Sequence, residues 1–391
     1  MNSFNYYCPT KIVFEENVVM KLAKILKEAN YQRVFIVYGQ GSVSKSGLLD
    51  KVTNILNESE IAYDLYGGVR PNPLLSDAKK GVKQALEFNP DLVFAIGGGS
   101  VIDCAKAIAV GYSNNTDDIW PYWLKEKETQ KVLDVAVMLT IPAAGSETSD
   151  SAVLTNEETH IKKGLSSIYI IPKIALLDPS LALSVPKHHK ACGIADIMMH
   201  TLDRYFNPIR NNEMTDVIAT GLLRNVIKHG IKVVNEDNLH SMSEIMWAGS
   251  LSHNGITGLG NINDFACHQL GHPLSAIYDV THGASLTAVW SSWANYCLND
   301  NYSRFASYGY DVFNISRDIN EKECAKKAIE LTVTYFKSLG LPTTLSEVVK
   351  DIDESKIEEL SLLSSYNKSR TIGSFKILNH NDIKQIYQNA I

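Results

Sequence analysis

Short apolar runs alternate with amphipathic stretches through the first half of the chain. Arg33–Gly39, Leu92–Gly97, Val135–Ile141 and Ile174–Asp178 are rich in branched residues, and Gly or Pro closes or follows most of them. Their continuous apolar character predicts strands buried on both faces. Ile61–Tyr66 is a weaker strand candidate, nearer a sheet edge. Helical periodicity fills the intervals: Val18–Ala29, Leu48–Glu58, Leu75–Phe88 and Val101–Tyr112. Strand and helix in alternation predict a parallel sheet covered on both faces.

The texture changes at Asp178-Pro-Ser-Leu-Ala-Leu-Ser-Val-Pro186. Beyond it the period is helical: His188–Phe206, Glu213–Asn235, Ser241–Ser252, Phe265–Leu270, Ala284–Leu298 and Glu321–Leu339. The expected division is an α/β domain over 1–183 and an all-helical domain over 184–391. There is no flexible Gly/Ser linker, repeat or low-complexity tract, so direct packing with a ligand-binding cleft between the halves is expected.

The helical half carries the most specific chemistry. Asp196 and His200 lie four apart, as do His268 and His272, and His282 follows. Residues four apart share a helix face, so Asp196 and His200 can grip one cation from a single rod. Three imidazoles (His200, His268, His282) and one carboxylate suit a divalent transition metal such as iron or zinc. Each residue taken singly is as readily an ordinary polar side chain; the ordered set favours a metal. Cys267 adjoins His268, but helical geometry turns it about 100° away, which favours core packing over a thiolate ligand. His272, one turn beyond His268, suits a supporting or proton-relay role. His188 and His189, beside Lys187 and Lys190, read as a solvated basic helix end. His160, His229, His240, His253 and His380 show no partner pattern.

A second motif precedes it. Ile96-Gly-Gly-Gly-Ser-Val-Ile-Asp103 follows a strand and opens a helix. Gly97, Gly98 and Gly99 allow a tight turn and close approach of a ligand, and free amides at the helix start favour an anion. Ser100 can cap that helix or donate to a phosphate. Asp103 could meet a nicotinamide amide or a ribose, or be a first-turn acid. The motif is neither G-x-G-x-x-G nor a Walker loop. Thr140–Ser149 is a second turn at a strand end, suited to polar ligand contacts.

Bulk properties narrow the field. A net charge of −6 over 391 residues argues against a nucleic-acid surface. No stretch approaches a membrane span. Six scattered cysteines without a CxxC pair fit a reduced, cytoplasmic protein.

In order and spacing, the GGGSVID loop at 97–103, Pro142-x-x-Gly-Ser-Glu147, Leu177-Asp-Pro179 and the Asp196/His200/His268/His282 set resemble the iron-containing (group III) alcohol dehydrogenases over nearly the whole chain. Tyr38–Gly47 and Gly67–Pro73 carry a finer likeness to their NADPH-dependent butanol dehydrogenase and aldehyde reductase branch. The resemblance implies a Rossmann-like N-terminal domain, an all-helical C-terminal domain in a dehydroquinate-synthase-like architecture, a metal facing the nicotinamide, and usually a homodimer. It implies iron as the metal, with zinc able to take the same site. It also implies cofactor roles for Gly97, Gly98, Gly99, Ser100, Asp103, Thr140, Ser149, Lys162 and Leu181. Lys162 has chemical sense as a group reaching a ribose or nicotinamide edge; the alternative is a solvated lysine beside Lys163. Relatives often carry threonine where this chain has Ala144, which puts one hydroxyl contact in doubt.

Relatives preferring NAD often have an aspartate near Gly39, where an acid would hold the ribose 2′-hydroxyl and repel a 2′-phosphate. Gly39–Lys45 holds no acid and one cation. NADP(H) is therefore expected, with Gly39, Gln40, Gly41 and Ser42 at the phosphate; the alternative is a turn that tolerates both cofactors. The expected reaction is hydride transfer between NADP(H) and a small neutral alcohol or aldehyde. The His-rich stretch 253–283 contains no Lys or Arg, which argues against the acidic substrates of dehydroquinate-synthase-like lyases. A non-catalytic nucleotide- or metal-binding protein is a third reading. Imidazoles must be neutral to bind metal, so metal affinity is expected to fall in acid.

Overall fold

In a computed structural model, residues 2–299 and 301–391 are described. The chain forms two compact units, Tyr7–Ser184 and Val185–Ile391, the latter joined by the N-terminal segment that ends at Tyr6.

The first unit is built on a parallel sheet. Its strands are β1 (Lys11–Phe14), β2 (Arg33–Gly39), β3 (Ala62–Val69), β4 (Leu92–Gly97), β5 (Val135–Leu139) and, after a separate hairpin of β6 (Ser151–Asn156) and β7 (Ile161–Ser166), β8 (Ile174–Leu177). The order across the sheet is β1-β8-β5-β4-β2-β3, with every pairing parallel. All residues of β4, β5 and β8 are buried, as continuous apolar runs require of central strands. Helices α1 (Leu22–Glu28), α2 (Leu48–Glu58), α3 (Leu75–Phe88) and α4 (Gly99–Ser113) connect the strands. The expected strands are present within two residues at each end, except that β3 extends to Val69. Two elements lie outside the sequence expectation. Edge strand β1 has only four residues and a half-exposed pattern, and the β6–β7 hairpin carries Lys-Lys-Gly where alternation would be read.

The order places a topological switch between β2 and β4: one leads outward to β3, the other to β5. Ligands of such sheets gather at the strands' carboxyl ends beside the switch. Gly39 ends β2, Gly97 ends β4, and Thr140 follows β5 with its amide donating to the Gly97 carbonyl at 3.1 Å. Leu181 lies in the turn just after β8. The candidate cofactor residues 39–42, 97–103, 140 and 181 thus emerge along one edge.

The second unit is helical. It contains α5 (Lys187–Tyr205), α6 (Glu213–Asn235), α7 (Leu239–His253), α8 (Ala266–Tyr278), α9 (His282–Leu298), α10 (Tyr302–Phe313), α11 (Glu321–Ser338), α12 (Glu354–Ser364) and α13 (His380–Asn389). From Lys190 to Tyr205, α5 is buried on every face, the signature of a central helix. Helix α8 runs past Pro273 instead of stopping near Leu270. Proline frees the carbonyl four residues back, and Ser364 Oγ reaches the Gln269 carbonyl at 3.4 Å. Tyr387 Oη donates to the neighbouring Leu270 carbonyl at 2.6 Å. Side chains of α12 and α13 thus take up carbonyls beside the interrupted ladder. No helix among the described residues is long and apolar enough to cross a membrane.

Candidate metal centre and nucleotide loops

Within the helical unit, the one-face spacing on α5 is realised. Asp196 and His200 are both buried, and His200 Nδ1 lies 3.5 Å from Asp196 Oδ1. Helix α8 brings His268 Nε2 to 3.7 Å from the same oxygen, and the first residue of α9 brings His282 Nε2 to 3.8 Å. Ligand atoms of Asp196, His268 and His282 lie within 4.8 Å of one another. His200 joins through Asp196 and by stacking on His268, with ring centroids 4.5 Å apart.

These residues fit a bound cation. Asp196 Oδ1, His200 Nδ1 and His268 Nε2 are buried and have no hydrogen-bond partner among the described residues. Leaving such atoms unsatisfied costs about 1–3 kcal/mol each, so the cluster is strained as a purely protein arrangement. Two ligands about 2.1 Å from a tetrahedral metal stand about 3.4 Å apart. The three separations from Asp196 Oδ1 fall at or slightly beyond that value, too long for hydrogen bonds. Burial, reinforced by the neighbouring imidazoles and Arg204, pushes His200 well below its ordinary pKa and keeps it neutral. Burial also works to lower His268, but the Asp196 and Asp203 carboxylates outweigh it and hold it at about 9. Cys267 is fully buried and its sulfur is not grouped with the ligand atoms of Asp196, His268 and His282, in keeping with core packing.

Two residues of this cluster were not anticipated. Asp203, buried at 1 % exposure, accepts from His268 Nδ1 at 2.5 Å. Its signal was present: 196, 200 and 203 are spaced i, i+4, i+7 on one helical face. His253 shows no partner pattern in the sequence, yet its ring centroid sits 3.9 Å from that of His200, and its Nδ1 accepts from Arg204 at 3.0 Å. Only long-range folding brings the end of α7 there. His272 is half-buried, with its ring centroid 5.9 Å from that of His282. His188 and His189 are exposed, as expected, but Lys190 beside them is buried, with its ammonium 3.5 Å from Asp237 Oδ1.

In the α/β unit, the glycine loop has a different reason for its composition than ligand approach alone. A Cβ on Gly97 would meet Val101 Cγ2 at 2.6 Å, one on Gly98 would meet Ile141 Cγ2 at 2.4 Å, and one on Gly99 would meet Ala144 Cβ at 3.0 Å. Packing of the strand end on the first turn of its own following helix therefore demands Gly97, and packing against the 140–144 loop demands Gly98. Ala144, the departure from the family pattern, packs against Gly99. The helix N-cap is Gly98 with no side-chain cap, so the capping role considered for Ser100 does not occur; Ser100 sits inside the first turn. Both Asp103 oxygens accept protein donors, Ser146 Oγ at 2.6 Å and the Val153 amide at 3.0 Å.

Lys106, one turn on and also unanticipated, is fully buried. Its ammonium donates to Ser146 Oγ at 3.1 Å, to the Ser149 carbonyl at 2.9 Å and to the Ser151 carbonyl at 2.7 Å. Burial lowers its pKa to about 8, against the pull of Asp103. Asp103 and Lys106 thus clamp the 146–153 segment, and Ser149 is buried within that clamp. Lys162 is buried rather than solvated, donating to Asn72 Oδ1 at 2.9 Å. Gln40 and Ser42 are exposed, and Gly39 and Gly41 partly so.

With this geometry in place, comparison with known proteins decides the family. Residues 9–179 match the iron-containing alcohol dehydrogenase model, and residues 190–391 match the model of that family's C-terminal region. The chain belongs to the iron-containing alcohol dehydrogenase family. It is 40 % identical to NADH-dependent butanol dehydrogenase A of Clostridium acetobutylicum over all of both chains. It is 32 % identical to an NADPH-dependent aldehyde reductase of Escherichia coli over 92 % of each chain. A crystal structure described as NADH-dependent butanol dehydrogenase A from Thermotoga maritima superposes with a TM-score of 0.95 at 31 % identity, covering 100 % of this chain and 99 % of that one.

Proposed function

We propose that this member of the family interconverts small neutral aldehydes and primary alcohols by hydride exchange with a nicotinamide cofactor, using a divalent cation held by Asp196, His200, His268 and His282. The observation that carries the reading is the convergence of buried, unsatisfied Asp196, His200 and His268 atoms, with His282 beside them. Iron(II), or zinc in its place, supplies Lewis acidity that polarises a carbonyl or stabilises an alkoxide.

The chain's own residues do the rest. Asp196 contributes the single negative charge among the four proposed ligands, which leaves a divalent site electron-poor. Against the effect of burial, the Asp196 and Asp203 carboxylates raise the affinity of His268 for a proton, and a ligating imidazole must be neutral, so metal affinity would fall in acid. His272, one turn from His268 and with its ring centroid 5.9 Å from that of His282, is the proposed carrier of a proton to or from the substrate oxygen. The absence of Lys and Arg from residues 253–283 suits an uncharged substrate better than an anionic one, favouring this reading over the lyase. The names of the relatives, butanol dehydrogenases and an aldehyde reductase, point the same way.

For the cofactor, Gly97–Ser100 and Thr140 are proposed to line the pyrophosphate and nicotinamide ends, with Lys162, Ser149 and Leu181 nearby. The relatives' names include both NADH and NADPH, so cofactor preference rests on residues 39–45. Gly39 closes β2 beside the switch point, no acid follows before Lys45, and a 2′-phosphate would meet amides, the Ser42 hydroxyl and one cation. NADP(H) is the proposed preference. A cytoplasmic homodimer completes the proposal. The test is anaerobic purification, reloading with Fe²⁺ or Zn²⁺, and measurement of butanal-dependent oxidation of NADPH and NADH. Metal-dependent turnover favouring NADPH is expected. Absence of turnover with every pairing would return the lyase and binding-protein readings.

A further inference from the structure

Asp203 lies one helical turn beyond His200 on the same side of the buried helix α5, outside the proposed ligand set. Its Oδ2 accepts from His268 Nδ1 at 2.5 Å, while its Oδ1 is buried without a hydrogen-bond partner among the described residues. The other end of the same imidazole, Nε2, faces Asp196 Oδ1 at 3.7 Å and has no hydrogen-bond partner among the described residues either. A carboxylate only accepts, so the proton of the ring sits on Nδ1. In the neutral ring that leaves the Nε2 lone pair directed toward Asp196. Pinning at Nδ1 also fixes the ring's rotation, which its stacking on His200 alone, at a 24° interplanar angle, would not do.

We propose that Asp203 is the positioning residue that sets the strength of the metal site, by fixing the tautomer and orientation of His268 and adding a second buried negative charge behind it. The inference rests on the metal-binding reading above. A hydrogen-bonded carboxylate raises the basicity of a ligating imidazole and pays part of its orientational cost before the cation arrives. Asp196 and Asp203 together balance the charge of a divalent ion, which a low-dielectric site otherwise tolerates poorly. The alternative is a purely structural tie between α5 and α8. That role would show in the stability of the metal-free protein and leave metal binding at full strength.

The experiment uses the full chain stripped of metal, titrated with Co²⁺ and Zn²⁺ against a chromophoric chelator, for wild type, Asp203→Asn, Asp203→Ala and His268→Ala. The melting temperature of each metal-free protein is recorded in parallel. Asp203→Asn keeps the shape and can still accept from Nδ1 but loses the charge; Asp203→Ala loses both. The expected result is binding weaker by about 10–100-fold in Asp203→Ala and by less in Asp203→Asn, with an altered Co²⁺ absorption spectrum in both. His268→Ala should lose the site. Asp203 variants that bind as wild type with an unchanged Co²⁺ spectrum, and differ only in melting temperature, would overturn the proposal while leaving the metal site standing. Failure of wild type itself to bind either ion would overturn the metal reading, and this inference with it.

Discussion

The placement of His282 depends on its neighbour, and Gly283→Ala tests how tightly. A Cβ at position 283 would lie 2.1 Å from the Cys192 carbonyl oxygen, 2.7 Å from its carbon and 2.8 Å from the Cys192 Cα. All three are backbone atoms of α5, so no rotamer change relieves the clash. An ordinary carbon–oxygen contact is about 3.3 Å, so the first turn of α9 must retreat by roughly 1 Å. Metal–ligand distances tolerate only about ±0.2 Å, and His282 moves with that turn. Overpacking costs about 1–3 kcal/mol, offset by up to ~1 kcal/mol of helix propensity gained on replacing glycine. The metal-free protein should therefore lose on the order of 1–2 kcal/mol of stability, while affinity for Zn²⁺ or Co²⁺ falls by about 10–100-fold, as for loss of an orienting partner. Chelator competition on the stripped protein measures the second quantity and thermal melting the first. Gly221→Ala is the control: residue 221 is exposed on α6 and no atom lies within 4 Å of its would-be Cβ, so it should gain about 1 kcal/mol and bind metal as wild type. Undiminished metal affinity in Gly283→Ala would refute the idea that the close approach of α9 to α5 positions His282.

Gly39→Asp should shift preference from NADPH toward NADH; a carboxylate about 4 Å from a nearly dianionic phosphate costs about 2 kcal/mol in water, roughly 30-fold, and an added Cβ there meets nothing nearer than 3.7 Å. An unchanged ratio of kcat/KM values would sink the assignment of residues 39–42. His272→Ala should keep its metal and lose about 10²–10⁴ in kcat; full activity would remove the proton-relay role. Lys106 has a folded pKa of about 8 against an ordinary 10.5, so between those values the unfolded chain binds the extra proton and this group's contribution to stability rises with pH. Relative to Lys106→Met, wild type should gain up to about 1.4 kcal/mol per pH unit between pH 8 and 10, measured by denaturant unfolding; parallel curves would contradict the lowered pKa of Lys106.

Much of this arrangement was legible because it is written in local periods. Central strands β4, β5 and β8 are short unbroken apolar runs, and the ligand candidates pair at helical spacing on α5 and α8. What escaped was written in distant contacts. His253 becomes a neighbour of His200 only when α7 folds back, and Asp203 meets His268 across 65 residues. Lys106 reads as an ordinary helix lysine until burial and the carbonyls of Ser149 and Ser151 give it a task. Pro273 signals an end that α8 does not observe, because hydroxyls from α12 and α13 take up carbonyls beside the break. Strand β1 is too short to declare a period, and its place in the sheet is set by pairing with β8.

Hydride transfer at a metal-dependent site can be followed with an isotope. Metal-loaded protein is given butanal and NADPH deuterated at the transferring C4 position, and the butanol formed is examined by mass spectrometry and NMR. One deuterium is expected at C1 of butanol, none at C1 from deuterated water when unlabelled NADPH is used, and no product from Asp196→Ala. Product without the label, or labelled product from metal-free protein, would contradict it.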